Sequence, residues 1–124
     1  MAALPGRPTQ RVLVVEDEYF IADDLVSALA AVGVEPVGPA YTIDDALVLI
    51  GCAEGIDGAV LDINLKGQAA FPVADALIAR DIPFFFTTGY DRQQLEDKYR
   101  HIPRFEKPFD PARVAAELLK RMRR

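Results

Sequence analysis

The chain is short of the features that mark several large protein classes. Its one cysteine, Cys52, cannot close an internal disulfide, which agrees with a reducing compartment; as a buried filler it is expected to need no function. No apolar run approaches the roughly 20 residues of a membrane-spanning helix. The opening MAALPGRPTQ holds two prolines and lacks the apolar centre of a secretory signal. Residues 1–10 are therefore read as a flexible leader, residues 11–124 as one domain, and the protein as cytoplasmic with no membrane partner. Positive charge is also scarce: 14 Lys and Arg face 19 Asp and Glu, for a formal net charge of −5. That sign is wrong for affinity built on neutralising phosphates, so nucleic acid is discounted as a partner. The basic close, LLKRMRR, fits cations that complement a helix dipole in a last turn. The single histidine, His101, opens a candidate strand at the end away from the expected ligand site.

What is present is ordinary for a soluble globular domain, with 51% apolar and 27% charged residues. A length of 124 residues suffices for one core but not for a core plus a separate output module. Three runs, VLVV (12–15), GAVLD (58–62) and IPFFFTT (82–88), are apolar without polar alternation, as strands buried on both faces are. VEPVG (34–38) and HIPRF (101–105) are weaker strand candidates. Helical spacing lies between them. Ile21, Leu25, Ala28, Leu29 and Val32 give a core face to a helix over 18–31 that Gly33 stops. Thr42 caps a second helix running to about Ile50, with Asp45 in the acidic capping position and Gly51 beyond the end. Pro72 opens a third, with Ala74, Leu77 and Ile78 inward, and Asp110-Pro111 opens the last, with Val114, Ala115, Leu118, Leu119 and Met122 inward. DRQQLEDKY (91–99) has only Leu95 and Tyr99 as anchors and predicts a short, weakly held helix. Five strands alternating with five helices indicate a doubly wound α/β domain with a five-stranded parallel sheet and helices on both faces.

In such a sheet ligands bind outside the carboxyl ends of the strands, where strand order reverses. The residues at those ends are Glu16 and Asp17, Asp62, Thr87 and Thr88, and Lys107. Three carboxylates against one lysine leave a deficit that one divalent cation neutralises, and Mg²⁺ suits a site with few carboxylates, waters and a phosphate. The same set suits phosphoryl transfer, with Asp62 as a nucleophile able to form an aspartyl phosphate. Gly89 directly follows Thr88 and lets backbone approach, so Thr88 is chosen as the phosphate-contacting hydroxyl and Thr87 is left to packing.

VLVVEDE, AVLDINL, FTTGY and EKPF, in this order and spacing, resemble the receiver domain of bacterial two-component response regulators (CheY-like, flavodoxin-like fold) over residues 11 to 122. The resemblance implies that Asp62 is the phosphoacceptor and that Asp17, Asp62 and the backbone carbonyl of Asn64 bind Mg²⁺, with Glu16 acting through a metal-bound water. It implies that Thr88 and Lys107 contact the phosphoryl group and that Lys107–Pro108 is a cis peptide. Most receivers carry a switch aromatic three residues before the lysine; here that position is Arg104, while Phe105, one place nearer, points to the other sheet face by alternation. PFFFTTGYD resembles the stand-alone subgroup with a Phe-x-Thr-Gly-Tyr pattern (FATGUY), associated with kinases of the His-Trp-Glu type. There Tyr90 takes the switch role, so Tyr90 and Phe105 are the candidates.

The partners so implied are a sensor histidine kinase or a histidine phosphotransfer protein, and a downstream protein target, the chain being a monomer or a phosphorylation-linked dimer. A second apolar stripe on the first helix, Tyr19, Ala22, Val26 and Ala30, is the expected docking surface. The function expected is a single-domain response regulator that catalyses only its own phosphorylation and dephosphorylation. The alternative is a Mg²⁺-dependent aspartyl-phosphate phosphatase or phosphotransferase acting on a small molecule, but such enzymes place an acid where this chain has Asn64. A flavodoxin-like cofactor binder is disfavoured because no Gly-rich or Ser/Thr-rich phosphate loop follows the first strand.

Overall fold

The computed structural model describes residues 9–52, 55–89 and 97–122. Its elements are β1 (Arg11–Val15), α1 (Tyr19–Ala31), β2 (Glu35–Ala40), α2 (Ile43–Cys52), β3 (Ile56–Asp62), β4 (Asn64–Leu65), β5 (Gln68–Ala69), α3 (Phe71–Ala79), β6 (Phe84–Thr88), a 3₁₀ turn (Asp97–Tyr99), β7 (Arg104–Glu106) and α4 (Pro111–Met122). β2, β1, β3, β6 and β7 lie in that order in one sheet, all neighbours parallel. The chain leaves β1 toward one edge and β3 toward the other, so strand order reverses between their carboxyl ends.

Side chains alternate across a strand, so uninterrupted apolar runs must be covered on both faces. Leu13 and Val15 of β1 enter one layer with Ile50, Leu61, Leu77 and Phe86, roofed by α2 and α3. Val12 and Val14 enter the other with Leu25, Leu29, Phe85, Val114 and Leu118, roofed by α1 and α4.

Helix ends follow local chemistry. At the end of α1, Gly33 takes φ 84° while its N–H donates to Ala30 O and that of Val34 donates to Leu29 O, so two orphan carbonyls are satisfied. The Asp45 N–H donates to Thr42 Oγ1 at 3.1 Å, the expected cap of α2. Asp110 caps α4 by accepting the Ala112 N–H at 3.0 Å.

Several expectations need correction. α2 does not stop before Gly51 but runs through it to Cys52, and Cys52 is exposed rather than a buried filler, lying with Gly51 on the solvent side of a last turn whose inward residue is Ile50. On α3, which starts at Phe71, Val73 is inward beside the expected Ala74 and Leu77, while Ile78 is 41% exposed. The last strand starts at Arg104, directly after Pro103, and not at His101, which is exposed in a turn. Of the segment 91–99, only 97–99 are described, and they form a 3₁₀ turn; Leu95 lies outside the described residues. That turn is well anchored: Tyr99 is buried, stacks on Phe71 at 4.7 Å and donates its hydroxyl to Asp75 Oδ1 at 2.7 Å.

Candidate functional site

The carboxyl rim is built by strand ends. Glu16 follows β1 and is held by its N–H, which donates to Ala40 O at 3.0 Å. Asp62 is the last residue of β3, opposite Thr87 of β6. Lys107 follows β7, its N–H donating to Thr88 O at 2.8 Å, and the Lys107–Pro108 peptide is cis, as the resemblance implies. Gly38–Pro39 is a second cis peptide, which the sequence did not signal.

These backbones bring Lys107 Nζ to 2.9 Å from Asp62 Oδ2, 3.1 Å from Glu16 Oε2 and 3.3 Å from Glu18 Oε1. Glu16 Oε1 lies as near, at 3.0 Å, yet it is buried and left without a hydrogen bond among the described residues. Asp62, Glu16 and Asp17 each have a backbone donor as well. Asn64 N–H donates to Asp62 Oδ1 at 3.0 Å, Glu18 N–H to Glu16 Oε2 at 3.0 Å, and Lys66 N–H to Asp17 Oδ2 at 2.9 Å.

The last of these comes from a feature absent from the sequence reading. β4 and β5 form an antiparallel hairpin whose two turn residues, Lys66 and Gly67, take φ 51° and 83°. Asn64 Oδ1 accepts the Gly67 N–H at 2.9 Å and braces the turn. Lys66 thus supplies a backbone donor to the site.

Burial dominates the electrostatics. It pushes Glu16 from 4.5 up to about 8, with the Asp62 charge adding to the rise and bonds from Glu18 N–H and Lys107 opposing it. Burial also raises Asp62, against Lys107 and the Asn64 N–H. For Lys107 burial pulls downward, but bonds to Asp62 and Glu16 outweigh it and the ammonium is held above its ordinary range.

Glu16, Asp17 and Asp62 each offer an oxygen within 4.8 Å of the others. A set of hard oxygen donors, one of them a buried carboxylate oxygen lacking a partner, fits a divalent cation. The Thr88 hydroxyl donates to Gly89 O at 3.2 Å, while the Thr87 hydroxyl is buried without a hydrogen bond among the described residues.

The structure therefore brings Glu16, Asp17, Asp62, Asn64, Thr88 and Lys107 to one rim. Phe105 is elsewhere: it packs in the α1/α4 layer with its ring 5.1 Å from Phe85. Arg104 is exposed in register with Phe86, so the alternation argument holds. Tyr90 lies outside the described residues. The apolar stripe on α1 is exposed only in part, at Tyr19 and Ala30. Ala22 is fully buried and Val26 packs partly into the α1/α4 layer, because α1 packs against both the sheet and the neighbouring α4 and buries a wider arc than a single stripe. The exposed aromatics there are Tyr19 and Phe20, with the Tyr19 ring set edge-on to Tyr41 at 4.8 Å. Glu18, the acid that directly follows Glu16 and Asp17 in the chain and was assigned no role, is the residue missed at the site; only the position of Lys107 reveals it.

No family model matches the chain. It is 32% identical over 109 residues to the phyllosphere-induced regulator PhyR of Methylorubrum extorquens; the match covers 85% of this chain, which spans 40% of that protein. SdrG from Sphingomonas melonis Fr1 is 39% identical with a TM-score of 0.79, covering 92% of this chain and 96% of SdrG. The BeF3-activated conformation of SdrG from Pseudomonas melonis Fr1 is 40% identical with a TM-score of 0.71, over 89% and 92% of the two chains. A response regulator receiver domain protein (CheY-like) from Methanospirillum hungatei JF-1 has a TM-score of 0.78 at 23% identity, over 93% and 94%, a likeness of fold. With this sheet order, this rim and a relative matched over nearly the whole of both chains, the chain belongs to the response regulator receiver (CheY-like) domain family.

Proposed function

We propose that the chain is a single-domain response regulator in which Asp62 accepts a phosphoryl group from a histidine kinase or a histidine phosphotransfer protein and thereby switches partner binding. The observation that carries this reading is the convergence on Asp62 of Lys107 at 2.9 Å and of Glu16 and Asp17, whose oxygens lie within 4.8 Å of its own. A carboxylate oxygen of Asp62 attacks phosphorus, and the Asn64 N–H on Oδ1 fixes the orientation of the carboxylate. Lys107 stays charged and moves toward the transferred oxygens, where it offsets the charge that gathers in the transition state. Thr88, whose hydroxyl rests on Gly89 O, turns to the same oxygens. Glu16, Asp17, Asp62 and the carbonyl of Asn64 would hold Mg²⁺, which when bound neutralises charge on the carboxylates and the phosphoryl group.

The chain catalyses its own phosphorylation and dephosphorylation and no other reaction. Asn64, two residues past the nucleophile, is an amide with its carbonyl bound to Gly67 N–H, and it cannot serve as the general acid of a small-molecule phosphatase. The Phe-x-Thr-Gly-Tyr pattern over 86–90 favours the stand-alone FATGUY subgroup and a His-Trp-Glu kinase as donor. No helix among the described residues is long and apolar enough to cross a membrane, which fits a cytoplasmic switch. The test is the intact mass of the chain after acetyl phosphate, with and without Mg²⁺, beside Asp62→Asn. One phosphoryl adduct on the wild type, dependent on the metal and absent from the variant, is expected; an adduct on Asp62→Asn would move the acceptor elsewhere.

A further inference from the structure

Glu18 stands at the N-cap of α1, with its carbonyl accepting the Ala22 N–H at 2.9 Å. An acid in that place can turn its carboxylate onto first-turn N–H groups, which stabilises the helix end. Here the side chain makes no capping bond and Oε1 reaches across to Lys107 Nζ at 3.3 Å.

An ammonium group has three N–H donors. Those of Lys107 meet three carboxylates: Asp62, Glu16 and Glu18. A phosphoryl oxygen on Asp62 can reach Lys107 only when one of these bonds is given up. Asp62 and Glu16 are buried, whereas the Glu18 side chain is 61% exposed and can return to water, so its bond costs least to break. Glu18 and Asp24 also line an open cleft of about 440 Å³ that leads along α1 to Lys107 and Phe109. An anion in that cleft meets the carboxylates of Glu18 and Asp24 in its walls, of which Glu18 is the one bonded to Lys107.

We propose that Glu18 is a positioning residue that occupies one N–H of Lys107 until a phosphoryl group displaces it, and that its charge slows phosphorylation by free anionic donors. The proposal rests on the reading of Asp62 as acceptor. In the exchange, an Asp62 oxygen bonds to phosphorus as the bond from phosphorus to the donor's leaving group breaks and the leaving group keeps the electron pair. Lys107 then transfers one hydrogen bond from Glu18 to a phosphoryl oxygen, and Glu18 turns outward as a hydrated carboxylate.

The experiment follows adduct mass over time with acetyl phosphate and Mg²⁺ for the wild-type chain, Glu18→Gln and Glu18→Asp, at low and at high salt. Glu18→Gln is expected to gain the phosphoryl group roughly three- to tenfold faster at low salt. The gain should shrink toward about 1 M salt, where the screening length falls to about 3 Å. Glu18→Asp, which keeps the charge, should stay near the wild-type rate. Equal rates for wild type and Glu18→Gln, or an acceleration that salt leaves untouched, would overturn the role of Glu18 while leaving Asp62 as acceptor. Absence of an adduct on all three proteins overturns the acceptor itself, and with it the proposal.

Discussion

The two ends of the sheet treat charge in opposite ways. At the carboxyl end lie Glu16, Asp62, Thr87 and Thr88, the buried polar or charged side chains among the described residues, joined by Lys107 at 13% exposure. At the amino end Arg11 and Glu35 face each other across β1 and β2 at 3.6 Å with side chains 30% and 55% exposed. Asp57 there accepts the Arg11 N–H at 2.9 Å and takes no part in a buried cluster. Burying ionised groups costs several kcal/mol each, and their mutual attraction returns only part of it. The amino end is an ordinary protein surface, while the carboxyl end holds an arrangement that folding alone would not favour. Under the proposed function, the pocket for a cation and a phosphoryl group accounts for the difference.

The largest effect expected from breaking this contrast is that of Lys107→Met. Without the ammonium, Asp62 and Glu16 remain buried with no cation, and urea unfolding in metal-free buffer at neutral pH should show a loss of about 3–5 kcal/mol. A loss below about 1 kcal/mol would mean that Lys107 is not the internal compensator.

A pH profile sharpens the comparison. Burial raises Glu16 from 4.5 to about 8, so over that range the folded chain keeps a proton that the unfolded chain has released. Its contribution to stability is therefore whole below about 4.5 and is lost as pH rises through about 8. Asp62, also raised by burial, acts in the same direction, and Lys107, raised as well, stays charged throughout. Metal-free wild type should unfold at progressively lower temperature from about pH 5 to about pH 8, and Glu16→Gln should flatten the decline. A flat wild-type profile would remove the electrostatic description of the rim.

The smallest effect belongs to the amino end. Glu35→Gln should change stability by less than about 1 kcal/mol, with no effect on phosphorylation. A cost comparable to that of Lys107→Met would erase the distinction between the two ends.

Much of this organisation was legible in the residues. VLVV, GAVLD and IPFFFTT read as doubly buried strands because none has polar alternation, and strand order then placed Glu16, Asp62 and Lys107 on one rim. The hairpin at 64–69 was not legible. Its strands are two residues each, too short for a pattern, and its turn is Lys-Gly instead of the Asn-Gly or Asp-Gly that usually marks such loops. The inward turn of Ala22 was missed because an alanine on a helix carries little directional signal; which arc it joins depends on α4, packed from a distant part of the chain. Glu18 could not be separated from its acidic neighbours until β7 placed Lys107 beside it.

The most direct test of the rim as a joint site for a cation and a phosphoryl group is thermal unfolding of wild type and Asp62→Asn in three buffers: metal-free, with Mg²⁺, and with Mg²⁺ plus beryllofluoride as a phosphoryl mimic. The expected result is a stepwise rise in Tm for the wild type, with the second step lost in Asp62→Asn, since a ligand that binds only the folded state stabilises it by mass action. An identical wild-type Tm in all three buffers would contradict it.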